Sequence, residues 1–164
     1  MNSPDHLIGR AMTTAEQIAD VAQRKNINVA TAESLTGGKI ASHLSAAPSS
    51  SDWFRGGVVA YAEQVKYEVL DVPVGPVVSE QAARAMATGV ARLMGACAAV
   101  AVTGVGGPGE EEGEPPGTVW FGVLGSGGYT VHTELRRYDG EPEEVLADTT
   151  QHALELLLHH MNGR

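Results

Sequence analysis

Apolar and polar positions fall into blocks along this chain, and the period of each block changes at glycines, prolines and small polar residues. Thr13 or Thr14, with Glu16 or Gln17 three residues on, opens a helical pattern carried by Ile18, Val21 and Ala22, and Asn26 offers a stop. The apolar run Ile27 to Ala32 reads as a strand. From Lys39 to Ala46 the helical period returns, with Ile40, Leu44 and Ala47 inward, and Pro48 to Asp52 is loop. Val58 to Tyr61, preceded by Gly56-Gly57, predicts a second strand. A short helix follows from Glu63 to Leu70, with Val65 and Val69 on one side and Lys66 on another. Pro73-Val74-Gly75-Pro76 forces a loop. Ser79 then caps a helix reaching about Gly95, with Ala82, Met86, Val90, Leu93 and Met94 at helical spacing. Cys97 to Thr103 is unbroken apolar sequence up to its threonine, the signature of a strand buried on both faces. Val119–Leu124 and Tyr129–Tyr138 flank Gly125-Ser126-Gly127-Gly128 as a hairpin. Glu143 to His160 predicts the last helix, with Leu146, Ala153, Leu154, Leu157 and Leu158 inward.

This order of elements implies a mixed sheet covered by helices, in the three-layer α/β class. Residues 1–12 carry no strong pattern and are a candidate disordered segment, which leaves 13–162 as a single domain. Hydrophobic residues make up 43% of the chain, enough for a proper core. Composition then narrows the partners. The net charge is −9, and an anionic surface repels phosphate backbones, so no nucleic acid is expected. The N-terminus lacks the cationic and apolar regions of a signal peptide, and no apolar run spans a bilayer, so no membrane partner and a cytoplasmic location are expected. One cysteine, Cys97, excludes an intrachain disulfide and reads as a buried inert thiol.

Several motifs approach known chemistry and fail on inspection. Gly37-Gly38-Lys39 resembles the end of a P-loop, but the first glycine is missing and Ile40 stands where the magnesium-binding Ser/Thr belongs. Gly104-Val105-Gly106-Gly107-Pro108-Gly109 satisfies G-x-G-x-x-G, yet Pro108 and the run Glu110 to Pro116 cannot continue into the helix a dinucleotide site requires. There is no G-x-S-x-G elbow. The six histidines show no zinc spacing, His152, His159 and His160 read as surface or boundary residues, and Glu110 to Glu114 reads as a solvated mobile loop. No metal and no cofactor are expected.

Ser34 is the residue that invites chemistry. It sits where a strand runs into a glycine turn and a helix start, and it reads equally as a helix N-cap and as a nucleophile. Tyr61 and Lys66, five apart at another strand-to-helix junction, can project toward the same sheet edge. A desolvated lysine with a lowered pKa can serve a serine as base. Taken singly, Lys66 reads as a solvated helix residue and Tyr61 as a core aromatic with its hydroxyl bonded.

Five segments together resemble one family. They are Thr31-Ala32-Glu33-Ser34-Leu35-Thr36-Gly37-Gly38, Gly56-Gly57-Val58-Val59-Ala60-Tyr61 with Lys66, Val78-Ser79-Glu80, Thr103-Gly104-Val105-Gly106-Gly107-Pro108-Gly109 and Pro116-Gly117-Thr118-Val119-Trp120. The family is that of the CinA C-terminal domain, whose stand-alone PncC members are nicotinamide-nucleotide amidohydrolases. The resemblance implies an α/β/α sandwich that hydrolyses the carboxamide of nicotinamide mononucleotide to nicotinate mononucleotide and ammonia. It also implies Ser34 as nucleophile with Tyr61 and Lys66 as activating partners, and a homo-oligomer. The N–H groups of the turn Leu35, Thr36, Gly37 and Gly38 would then cradle an oxyanion, with Glu33 beside them at the substrate. Thr103, Gly104, Gly106 and Gly107 would approach the ribose phosphate. The chain departs from the family pattern at Gly140-Glu141-Pro142, where Gly-Asp-Arg is usual, and at Ala62 and Glu63, where the family has Ser and Asn. These departures leave two alternatives: a pocket that binds without turnover, and an amidase for a less phosphorylated substrate.

Overall fold

The computed structural model describes residues 3–128 and 130–163. The elements are α1 (Pro4–Lys25), β1 (Val29–Glu33), α2 (Lys39–Ala46), α3 (Ser50–Trp53), β2 (Phe54–Val59) and α4 (Glu63–Leu70). After them come α5 (Glu80–Met94), β3 (Ala98–Gly104), β4 (Thr118–Leu124), β5 (Val131–Arg137) and α6 (Pro142–Asn162). Tyr129, expected to begin the second hairpin arm, lies outside the described residues, as do Met1, Asn2 and Arg164.

The strands form one mixed sheet in the order β2-β1-β3-β4-β5. β1 runs parallel to β2 and to β3, whereas β3, β4 and β5 are successively antiparallel. Side chains alternate across the sheet because the strand period is two. On β3, Ala98, Val100 and Val102 join the core under α1, α2 and α6. Ala99 and Ala101, with Ala30 and Ala32 of β1, face α4 and α5. Alanines on that face let α5 lie close to the sheet. The result is the expected α/β/α sandwich. Among the described residues no helix is long and apolar enough to cross a membrane.

Several local expectations change. Residues 4–12 are not disordered: they are the first half of α1, started by the Ser3 hydroxyl accepting from His6 N–H (3.3 Å) and by a proline in the first turn. Leu7 and Ala11 are buried there and continue the inner stripe of Ala15 and Ile18. Their four-residue spacing is the signal that a polar surround concealed. The helix does stop at Asn26, whose left-handed backbone (φ 55°) closes the last turn. Within the loop expected at 48–52, α3 begins and carries Trp53 into the core, its indole N–H donating to Pro48 O (3.0 Å).

β2 begins four residues earlier than expected and ends before Tyr61. Gly57 lies inside it because a Cβ there would collide with the Thr31 hydroxyl of the neighbouring strand. On α4 the buried face is Lys66 and Leu70, while Val69 is exposed. Leu93, expected on the inner side of α5, is exposed as well. Cys97 precedes β3 and is exposed, its sulfur accepting from Asn28 N–H at 3.3 Å.

Candidate active site

The parallel strands β2, β1 and β3 end at one edge of the sheet, and β1 is the middle one. The chain leaves β1 for α2 and β2 for α4, and it leaves β3 through a long loop to β4, so a crevice forms where these segments part. Ser34 follows the last residue of β1, and Ala60 N–H extends the ladder beside it by donating to Glu33 O (2.7 Å). A cavity of about 250 Å³ opens there.

Ser34 lines this cavity and is 8% exposed. Lys66, on the inner face of α4, lines it too and is 2% exposed, so it is not the solvated helix residue that it resembles when read alone. Its Nζ donates to Ala60 O (2.7 Å) and Tyr61 O (3.4 Å), which ties the amine to the chain just past β2. Burial pushes the Lys66 pKa down from the usual lysine value, because the charged form loses its hydration. Glu63, Glu111 and Glu112 pull weakly the other way. A free amine in this position would keep two N–H bonds to carbonyls and leave its lone pair for a proton.

Tyr61 lines the rim and is 71% exposed, so it is neither a core aromatic nor a buried partner of Lys66. Leu35, Thr103, Gly104, Gly106 and Gly107, expected around the substrate, line the cavity. Thr103 is buried, and its hydroxyl donates to Val77 O (2.6 Å), so its side chain fixes the segment ahead of α5.

Glu33, Thr36, Gly37 and Gly38, expected around the substrate, do not line the cavity. Glu33 is 1% exposed and caps α2. Its carboxylate accepts from the Thr36 hydroxyl (2.6 Å), Ile40 N–H (3.0 Å) and Ala41 N–H (2.9 Å). The donors at the start of α2 are thus occupied from within, and the helix end is not open to a ligand. Gly37 N–H donates to Ser34 O (3.1 Å), and Gly38 is the N-cap with φ 103°, a backbone state that favours glycine. These residues shape the turn that carries Ser34 and hold it from behind.

The sequence reading placed none of five further lining residues at the site. Val77 and Val78, just before the helix cap Ser79, line the cavity, as does Leu146 of α6. Glu111 and Glu112 line it as well, so the acidic run is not a free solvated loop. Glu112 accepts hydrogen bonds from Val77 and Val78 N–H. No local pattern announces that contact, since it joins segments more than thirty residues apart.

Residues 11–161 match the sequence profile of the CinA C-terminal domain. A nicotinamide-nucleotide amidohydrolase, PncC, of Pseudomonas putida is 41% identical over 153 residues, covering 89% of this chain and 94% of that protein. A Desulforamulus reducens protein named for competence-damage induction is 40% identical over 143 residues. The chain spans about a third of that longer relative (34%) and of a Limosilactobacillus fermentum relative (36%). The crystal structure of a CinA-superfamily protein from Klebsiella pneumoniae superposes with a TM-score of 0.84 at 33% identity, covering 91% of this chain and 96% of the other. The chain belongs to the CinA C-terminal domain family.

Proposed function

We infer that this member of the CinA C-terminal domain family is an amidohydrolase that converts nicotinamide mononucleotide to nicotinate mononucleotide and ammonia. The observation that carries the reading is the opening of Ser34 and of Lys66, buried and with its pKa lowered by that burial, onto one cavity at the ends of parallel strands. The P. putida relative adds the substrate class.

In the reaction so inferred, Lys66 in its amine form takes the Ser34 proton as Oγ attacks the carboxamide carbon. The resulting oxyanion lies against the N–H group of Leu35, which lines the cavity, because those of Gly37, Ile40 and Ala41 already have partners. Lys66 then returns the proton to the leaving nitrogen, ammonia departs, and an ester to Ser34 remains. Water, deprotonated by the same amine, cleaves the ester and restores the serine. Tyr61 at the rim has an exposed aromatic face against which the pyridine ring can stack.

The test is ammonia release from nicotinamide mononucleotide, measured for the wild type and for Ser34→Ala. Release by the wild type that vanishes in the variant supports the reading. A wild type inert toward a panel of pyridine nucleotides and nucleosides removes it, and binding without release would make the pocket a recognition module.

A further inference from the structure

The acidic run closes on the cavity instead of trailing into solvent. Glu111 N–H donates to Glu114 O (3.1 Å) and Glu114 N–H to Glu111 O (2.8 Å), forming a tight turn. Its two central residues, Glu112 (φ 53°) and Gly113 (φ 77°), both have positive φ, as a type I′ turn demands. The turn thereby presents Glu112 at its tip. From there the carboxylate reaches the segment ahead of α5. Val77 N–H donates to Oε1 (2.9 Å) and Oε2 (2.8 Å), and Val78 N–H donates to Oε1 (2.7 Å). Thr103 anchors this donor pair from β3 through Val77 O. Val77, Val78, Glu111 and Glu112 all line the cavity that holds Ser34 and Lys66.

The charges around that cavity are lopsided. Lys66 is the one basic side chain among its lining residues, against Glu63, Glu111 and Glu112. A ligand carrying a phosphate meets three carboxylates and finds the Val77–Val78 donors already filled by one of them. A pyridinium nucleoside, cationic and without phosphate, meets no such conflict.

We propose that Glu112 is a specificity-determining residue of this pocket, competing with the phosphate of a mononucleotide for the N–H groups of Val77 and Val78. The nucleotide binds by lifting the 111–114 turn off these donors, and the nucleoside binds with the turn in place. The substrate class rests on the amidase reading above. The competition itself rests on the hydrogen bonds of Glu112.

Two measurements test it. The first compares KM for nicotinamide mononucleotide and its nucleoside in wild type, Glu112→Ala and Glu111→Gln. Freeing a pair of charge-assisted donors lowers KM for the nucleotide roughly tenfold in Glu112→Ala, with the nucleoside changed less than about twofold. Glu111→Gln removes a charge from the same turn without freeing a donor, and its shift is smaller. An unchanged nucleotide-to-nucleoside ratio in Glu112→Ala, or an equal shift in Glu111→Gln, overturns the proposal. The second follows amide hydrogen exchange at Val77 and Val78, which needs no turnover. Both amides exchange slowly in the wild type and faster in Glu112→Ala, and inorganic phosphate restores their protection in the variant. Phosphate that fails to protect them overturns the proposal even if ammonia is released. Restored protection without ammonia release supports it and removes the amidase reading alone.

Discussion

Lys66, at the parallel end of the sheet, and Glu134, on its antiparallel edge, are both withdrawn from bulk water but are satisfied differently. Glu134 is met by side-chain partners: the Arg136 guanidinium, whose Nη2 lies 2.7 Å from one carboxylate oxygen, and the His152 ring, whose Nε2 lies 3.0 Å from the other. The hairpin sets Glu134 and Arg136 on one face of β5, and α6 lays His152 across, edge-on to Phe121 at a centroid distance of 4.9 Å. Burial alone would push the Glu134 pKa up, yet the His152 and Arg136 contacts hold it below the usual glutamate value. Lys66 is bonded instead to two backbone carbonyls, and burial depresses its pKa. The two-residue period of β5 sets a carboxylate and a guanidinium side by side on one face, whereas diverging loops after parallel strands leave an amine beside an open cavity. The second arrangement leaves a group available to a ligand, because a group already satisfied by its partners has little left to offer one.

The largest expected effect breaks the parallel side outright. Ser34→Ala should lower the turnover of ammonia release at least about a thousandfold with melting behaviour close to the wild type. Full activity in that variant would end the nucleophile assignment.

Lys66→Met sharpens the contrast through pH. A lysine with a depressed pKa binds fewer protons folded than unfolded, so its burial weakens the fold below the depressed pKa. That penalty fades as pH climbs toward the ordinary value of 10.5. The stability of the wild type relative to Lys66→Met should therefore improve across that interval, as read from denaturant midpoints. Wild-type activity should rise with pH through the same depressed pKa, since the base must be neutral. A flat stability difference would mean that Lys66 titrates as a solvated lysine.

Glu33→Ala probes the support behind Ser34. It leaves the Thr36 hydroxyl and the N–H groups of Ile40 and Ala41 without their acceptor, at a cost of about 2–3 kcal/mol in unfolding free energy. Turnover should fall as well, because the Ser34 turn loses its anchor. Stability within about 0.5 kcal/mol of the wild type would show that water replaces the cap.

The smallest effect belongs to the antiparallel side. Glu134→Gln should lower stability by about 0.5–1 kcal/mol at neutral pH and leave activity alone. Because the folded pKa of Glu134 lies below its unfolded value, this contribution is complete above about 4.5 and is lost as pH falls through the depressed pKa. Calorimetry at neutral and acidic pH would find the two proteins converging in acid. A constant gap would assign the effect to packing.

Local grammar was the most legible part of the chain. The α2 and α4 boundaries, the Asn26 stop and the Ser79 cap all follow from caps and periods within a few residues of themselves. Where a neighbour distant in sequence decides, the same grammar fails. Leu7 and Ala11 look too sparse for a helix, but both are buried, Ala11 in the core under α6. The Cys97 position looks buried, but it falls one residue before the strand begins. Glu33 looks like a site residue because it adjoins Ser34, yet strand alternation turns it under α2, away from the cavity.

The sequence by itself determined the α/β class, the strand-to-turn junction at Ser34 and the set of motifs that mark the family, since each depends on short-range periodicity or on residue identity. Only the tertiary structure decided that Lys66 is buried, that Tyr61 stands at the rim, and that Glu112 sits on the donors of Val77 and Val78. Burial and the pairing of charges depend on which loops meet at the end of a sheet. That meeting is set by strand order and by the direction in which each strand runs.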